Sequence, residues 1–358
     1  MLVVEHEKYI RRCLELAGLG KASVSPNPMV GAVVVMDTVI IGEGYHQQYG
    51  GPHAEVNAIN QVINTFSDYA DLLDQSILYV SLEPCAHYGK TPPCADLIIK
   101  HKIPNVVVGC RDPFDAVNGK GIEKLRDAGI NVEVGILEEE CKWFNRRFFT
   151  RIQKRRPYII LKWAQTADRF FAPDNDTQHW ITGEESRKLV HQWRSEEDAV
   201  LIGKNTALID NPQLNVRYRQ GKSPKRIVID RRLELNNNLN IFDQSVDTLV
   251  FNEVKTSIEG KNKFIALEDF DRYVPEYILY QLYLQDIQSV IIEGGAYTLN
   301  SFIEAGLWDE ARIFNGPGNL LSGIKAPAVT GKSEAFSIGP DKLNIIINDH
   351  QIDNSINH

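Results

Sequence analysis

Runs of apolar residues divide the first 150 positions into an alternating series. Glu5 to Leu19 reads as a helix that ends at Gly20, and Ser25-Pro26-Asn27-Pro28 reads as a rigid loop. Val30–Met36 and Val39–Tyr45 are β-rich, and Asp37-Thr38 between them predicts a hairpin. A helix follows at His53–Thr65. Next come strands at Ile77–Ser81, Val106–Cys110 and Val132–Val134, interleaved with helices at Ala95–Lys100, Gly121–Ala128 and Glu138–Phe149. A hairpin followed by repeated α–β units implies a mostly parallel sheet with helices on both faces.

The basic stretch FFTRIQKRRPY, 148–158, reads as a solvated connection rather than a phosphate site. A second α/β series follows it. Strands are predicted at Tyr158–Trp163, Ala199–Ile202, Arg226–Ile229, Thr248–Phe251 and Ser289–Ile292, with helices at Glu184–Arg194 and Tyr297–Ala305. Residues 231–285 otherwise read as irregular, and the chain beyond about 340 reads as a polar, frayed tail. The division expected is 1–147, a connection at 148–156, 157–350, and a tail at 351–358. A length of 358 residues agrees with two domains.

Composition narrows the function. Apolar content of 43% and charged content of 24% are ordinary for a folded globular protein. A net charge of −8 gives a nucleic-acid partner no electrostatic support. The N-terminal stretch lacks a signal-peptide core, and no apolar run reaches membrane-spanning length, so a cytoplasmic protein without a membrane partner is expected. Five cysteines, an odd number, argue against a disulfide framework. Cys13, Cys110 and Cys141 read as small core residues, which leaves Cys85 and Cys94.

These two bracket the loop EPCAHYGKTPPC, 83–94, and His53-Ala54-Glu55 stands upstream. One histidine and two cysteines are a soft N/S set suited to zinc. Three protein ligands leave a position open, as in catalytic zinc, which lowers the pKa of a bound water to about 7. His53 and Glu55, about 200° apart on a regular helix, share a site only if His53 lies at the irregular helix start. Glu55 would then carry protons rather than ligate. H-x-E followed by P-C is the pattern of zinc-dependent base deaminases. Base deaminases use C-x-x-C, whereas eight residues separate the cysteines here, and the insert carries His87 and Lys90. A structural zinc site closed by His87 is the competing reading.

HAE, EPCAHYGKTPPC, SPNPMVGAVVV and GEGYH together resemble the deaminase half of the RibD family of bifunctional riboflavin-biosynthesis enzymes. LKWAQTADRF, QHWIT, HQWRSEEDAVLIGKNTALIDNPQLNVR and IIEGGAYTL are similar to its reductase half, so nearly the whole chain is covered. The resemblance implies a cytidine-deaminase-like α/β/α sandwich followed by a dihydrofolate-reductase-like α/β domain. The first would hydrolyse the 2-amino group of a phosphoribosylamino-pyrimidinone. The second would reduce the ribosyl group to ribityl with NADPH. Zinc would sit on His53, Cys85 and Cys94, with Glu55 as proton donor and Asn27, His46, His87 and Lys90 around the substrate. Taken alone, His46 reads as a surface residue.

In the second half, no G-x-G-x-x-G follows a strand, so a Rossmann site is not expected. Glu293-Gly294-Gly295 ends a strand before a helix, a place where backbone can approach phosphate. The resemblance places the cofactor at Ala164, Trp180, Thr206, Asp210 and Gly295, Ala296, Tyr297, Thr298, Leu299, Asn300 and Ser301. It places the substrate at Gln178, Arg194, Leu214, Arg217 and Glu293, with Lys162 at the same site as a catalytic group. Arg194 and Arg217 would clamp the substrate phosphate. Two departures bear on the reductase: Arg169 stands where the family often has glycine, and Gln178 replaces a serine. A reductase half retained only for binding is the alternative. Oligomeric state is open, a homo-oligomer included.

Overall fold

A computed structural model describes residues 5–88, 92–174 and 180–349. The chain forms two compact units, Met1–Arg155 and Arg156–His358. No helix among the described residues is long and apolar enough to cross a membrane.

The first unit runs α1 (His6–Gly18), β1 (Gly31–Met36), β2 (Val39–Tyr45), α2 (Ala54–Thr65), α3 (Tyr69–Leu73), β3 (Ile77–Leu82), α4 (Cys94–Lys100), β4 (Asn105–Cys110), α5 (Lys120–Asp127), β5 (Asn131–Val134), α6 (Glu138–Phe144) and α7 (Arg146–Lys154). Its sheet has the order β2-β1-β3-β4-β5. The sheet is mixed rather than mostly parallel: β1 pairs antiparallel with both β2 and β3, and only β3-β4 and β4-β5 are parallel. Asp37 and Thr38 make the expected hairpin, with φ of 47° and 70°, the left-handed pair that a two-residue turn requires.

Period-two alternation builds both faces of this sheet. Val34, Leu78, Val80, Val106 and Val108 meet α2, α4 and α5 through Ala58, Ile59, Val62, Ile98 and Leu125. Val33, Val35, Tyr79 and Val107 point the other way, onto Ile10 and Cys13 of α1, Cys141 of α6 and Phe148 and Phe149 of α7. The result is an α/β/α sandwich.

Two sequence expectations change here. The helix expected at Glu138–Phe149 breaks at Asn145, which lies between α6 and α7. The Asn145 side chain accepts from Met29 N–H at 2.9 Å and donates to the Met29 carbonyl at 2.8 Å. The stretch expected to be a solvated connection, 148–156, is helical through Lys154, because Phe148 and Phe149 belong to the core.

The second unit runs β6 (Tyr158–Gln165), β7 (Phe170–Ala172), α8 (Glu184–Glu196), β8 (Ala199–Gly203), α9 (Lys204–Asp210), β9 (Lys225–Ile229), β10 (Thr248–Asn252), β11 (Ser257–Glu259), β12 (Asn262–Ala266), α10 (Val274–Tyr283), β13 (Ser289–Ile292), α11 (Ala296–Glu304), β14 (Glu310–Asn315), β15 (Ile324–Lys325), β16 (Lys332–Ile338) and β17 (Asp341–Ile347). One ten-stranded sheet has the order β11-β12-β10-β9-β8-β13-β6-β14-β17-β16. Strands β12 through β14 in that order are parallel, and the outer pairings are antiparallel. The β-branched runs of β6, β8 and β13 are buried on both faces, as a covered parallel sheet requires.

Around the strand predicted at Thr248–Phe251, which is β10, residues 231–285 are not irregular: they also hold β11, β12 and α10. Nor is the chain frayed directly after 340, since β17 pairs with both β14 and β16; the tail expected at 351–358 lies outside the described residues. Ile338 pairs with Asp341, so β16 and β17 form a hairpin, and the polar positions Lys342 and Asn344 within β17 hid the strand.

Candidate active sites

His53 is the N-cap of α2, in extended backbone at φ −74° and ψ 167°. This is the irregular helix start that the His53/Glu55 pairing demanded. Cys85 lies in the loop after β3, and Cys94 opens α4. Their ligand atoms lie within 4.8 Å of one another. His53 Nδ1 is 3.6 Å from Cys85 Sγ and 3.3 Å from Cys94 Sγ. Zinc bonds of about 2.3 Å to sulfur and 2.0–2.1 Å to nitrogen put tetrahedral ligand atoms roughly 3.5–3.8 Å apart, so the donor set fits the ion.

The thiols are prepared unequally. Hydrogen bonding to Cys94, and then to His53, pulls Cys85 well below an ordinary thiol despite its burial. The same contact, together with burial, pushes Cys94 up. The Cys94 backbone N–H also donates to Cys85 Sγ at 3.3 Å.

Glu55 is 3% exposed and interacts with His53 and Cys94, yet it is not one of the ligand group. Burial above all pushes its carboxyl up to about 7. A group that takes up and releases a proton near neutrality suits acid–base work.

His46 is buried, contrary to its reading as a surface residue. Its Nδ1–H donates to the Pro52 carbonyl at 3.0 Å, which leaves Nε2 to accept from Asn27 Nδ2 at 3.0 Å. A chain of contacts thus runs from Asn27 to the residue preceding His53. His87 is exposed, its ring 6.0 Å from that of Phe114, and it is not part of the ligand group, so it does not close the site. Lys90 lies outside the described residues.

Two acids of this site escaped the sequence reading. Glu83, two positions before Cys85, is buried. Asp112 is buried beyond the end of β4, and burial first, with Glu83 and Cys85 nearby, pushes it up to about 7. The available signal was position: both follow strands at their C-terminal ends, where α/β sheets bind ligands.

The second site lies at the C-terminal ends of β6, β8 and β13. Glu293 follows β13 and is flanked by two cations. Arg194 of α8 binds it bidentately, Nε to Oε1 at 2.8 Å and Nη2 to Oε2 at 2.8 Å. Lys162 of β6 stands 3.7 Å away. Burial opposes the Glu293 charge, but Arg194 and Lys162 outweigh it and hold the carboxyl at about 2. Burial lowers the Lys162 ammonium. His191 is held neutral, its pKa lowered to about 4 by burial and then by Arg194 and Arg217, and its Nδ1 accepts from Arg217 N–H at 3.2 Å.

Gly203 and Gly295 are the N-caps of α9 and α11, the first at the end of β8 and the second just beyond its parallel neighbour β13. A Cβ on Gly294 would meet Thr298 Cβ at 2.8 Å, and one on Gly203 would strike Thr298 Oγ1. Two helix N-termini beside bare backbone make a phosphate-compatible cradle without a Rossmann motif. Thr206 lies near Gly295, and Asp210 is within electrostatic reach of Lys162.

The run 295–301 does not act as one surface. Tyr297 is 89% exposed, Ala296 and Asn300 are half-buried, Thr298 is buried, Ser301 bonds back to the Thr298 carbonyl, and Leu299 lies in the core. Leu214 is also a core side chain, at φ 52°, so only its backbone is available to a ligand. Trp180 is exposed beneath the Arg187 guanidinium, 5.1 Å from the ring centroid. Ala164 is half-buried on β6. Arg217 is exposed and does not converge with Arg194 on an open clamp, because the Arg194 fork is occupied by Glu293. Gln178 lies outside the described residues.

Comparison with known proteins agrees with two different units. Residues 3–110 match the family described as the cytidine and deoxycytidylate deaminase zinc-binding region, and residues 157–336 match the RibD C-terminal domain. The riboflavin biosynthesis protein RibD of Aquifex aeolicus is 41% identical over 325 residues, 89% of this chain and 88% of that protein. RibD of Escherichia coli is 33% identical over 340 residues, 89% of each. A solved diaminohydroxyphosphoribosylaminopyrimidine deaminase/5-amino-6-(5-phosphoribosylamino)uracil reductase from Thermotoga maritima superposes with a TM-score of 0.86 at 38% identity, covering 96% of this chain and 98% of that one. With a zinc-binding deaminase unit ahead of a reductase unit, and with relatives this similar across both, the chain belongs to the RibD family of bifunctional deaminase–reductases of riboflavin biosynthesis.

Proposed function

We propose that the first site hydrolyses the 2-amino group of 2,5-diamino-6-(5-phosphoribosylamino)pyrimidin-4-one. The second site then reduces the ribosyl group of the product to ribityl with NADPH. The observation that carries the reading is Glu55, buried beside His53, Cys85 and Cys94 yet outside their ligand group. A structural metal site has no use for such a carboxyl. The similarity to the Thermotoga maritima protein, whose name states both reactions, supports the substrate.

His53, Cys85 and Cys94 would hold the zinc, which when bound activates water for hydrolysis. Glu55 takes one proton from the attacking water and delivers it to the ring nitrogen, then takes the second from the hydroxyl so formed and delivers it to the departing amine, which leaves as ammonia. Asn27 and His46, fixed by Pro52, orient the pyrimidine. His87 and Lys90 complete the substrate side.

In the reductase half, NADPH, when bound, supplies hydride to the sugar C1. The backbone at Gly295 and Ala296, where α11 begins, with Ala164, Trp180, Thr206 and Asp210, would hold it. Lys162 donates the proton that the opening sugar requires, and Glu293 keeps Lys162 and Arg194 in place. Arg217 meets the phosphate from its exposed loop, while Gln178 and the Leu214 backbone line the substrate.

Product analysis with and without NADPH tests the reading. Ammonia release without NADPH and a ribityl product only with it are expected. Ammonia release with no ribityl product under either condition would reduce the second half to a binding module.

A further inference from the structure

Glu83 is a buried carboxylate, and among the described residues no cation pairs with it. Four backbone N–H groups do the work instead. Oε2 accepts from Gly119 at 2.9 Å and Asp112 at 3.3 Å; Oε1 accepts from Gly121 at 3.0 Å and Ile122 at 3.3 Å. Gly121 and Ile122 belong to the first turn of α5, whose N–H groups have no partner within the helix. Negative charge is favoured there. A single side chain thus joins the ends of β3 and β4 to the start of α5.

Cys85 follows two positions later, through Pro84. Proline fixes φ, so the tether between the anchored carboxylate and the Cys85 sulfur is short and stiff. Gly121 belongs to the same device: a Cβ there would collide with the Pro84 carbonyl. On its other side Cys85 is secured only lightly, by Ala95 N–H on its carbonyl at 3.2 Å and Cys94 N–H on its sulfur.

We propose that Glu83 is a positioning residue for Cys85. Its carboxylate, clamped by the four amides, sets the Cys85 sulfur at the spacing from His53 and Cys94 that retains the metal. The inference rests on reading His53, Cys85 and Cys94 as the ligands. The charge and both oxygens are needed. In Glu83→Gln one oxygen becomes an NH2 that faces two N–H donors, so two buried amides lose their acceptor.

The test uses the full chain loaded with zinc. Zinc release to a chromophoric chelator is timed at a temperature where parent and Glu83→Gln are both folded, beside a thermal melt of each zinc-free protein. Release about 10–100-fold faster in the variant is expected, the range for partners that orient metal ligands. Release within twofold of the parent, with only the zinc-free melt lowered, assigns Glu83 to the fold alone and overturns the proposal.

Should the variant not fold, hydrogen exchange on the parent decides. Coupling between anchor and metal is reciprocal, so zinc removal must speed exchange at the amides of Asp112, Gly119, Gly121 and Ile122. Unchanged exchange there overturns the proposal. Zinc retention by Cys85→Ser would instead show that the ligand assignment is at fault.

Discussion

The guanidinium of Arg194 is spent on Glu293: two parallel bonds of 2.8 Å occupy one edge of its fork. Arg194 therefore reads first as half of a buried ion pair that fixes the floor of the reductase site, with Lys162 beside it. Breaking such a pair by removing one partner costs on the order of 3–5 kcal/mol, because the other charge is left buried and uncompensated.

The pair makes stability depend on acid. Glu293 titrates at about 2 in the fold against an ordinary value of 4.5. A lowered carboxyl stabilises fully above its ordinary value and loses that contribution as pH falls toward the folded one. Thermal melts of the parent and Glu293→Gln should differ most near neutral pH and draw together below about pH 4.5. A difference independent of pH would contradict the assignment.

Arg217 is left as the exposed cation of the proposed phosphate subsite. Arg217→Ala should raise KM for the phosphorylated reductase substrate by roughly 10–100-fold, the loss of one charge-assisted interaction. NADPH affinity and deamination should hold. Steady-state kinetics of both half-reactions check this, and an unchanged KM would remove Arg217 from the site.

Arg169 sits at φ 63° in the turn after β6, a conformation that favours glycine. Relief of that strain is partly offset by the greater freedom of glycine in the unfolded chain. Arg169→Gly should therefore stabilise the second unit by up to about 1 kcal/mol, read as a higher denaturant midpoint. A lower midpoint would mean that the arginine side chain contributes more than its backbone costs.

The candidate metal trio and its neighbouring carboxylate were legible because their chemistry is written in residue types: a histidine, two cysteines and a glutamate at telling spacings. The central strands were legible because their β-branched runs are continuous. Glu83 and Asn145 were not, since each bonds backbone groups far away in sequence, 116 positions away for Asn145, and leaves no periodic trace. β17 escaped because Asp341, Lys342 and Asn344 interrupt its apolar pattern, although β16 beside it closes a hairpin. His46 looked like a surface residue because nothing local announces its bonds to Asn27 and Pro52.

Asn145 carries its own prediction. By pinning Met29 it fixes the loop that presents Asn27 to His46. Asn145→Ala should raise KM for deamination by about tenfold, as expected when a bidentate backbone contact is lost. Zinc content and reduction of pre-deaminated substrate should stay at parent values. An unchanged deamination KM would confine Asn145 to helix packing.

The central claim is that one chain carries two separate chemistries, the first depending on a buried proton carrier beside a metal centre. The most direct measurement is the pair of half-reactions in Glu55→Gln, with zinc quantified in the same sample. Zinc should remain at the parent's level and NADPH-dependent reduction of pre-deaminated substrate should proceed. Ammonia release should fall by at least the 10²–10⁴-fold typical of general acid–base groups. Near-parental ammonia release from the zinc-loaded variant would contradict the account.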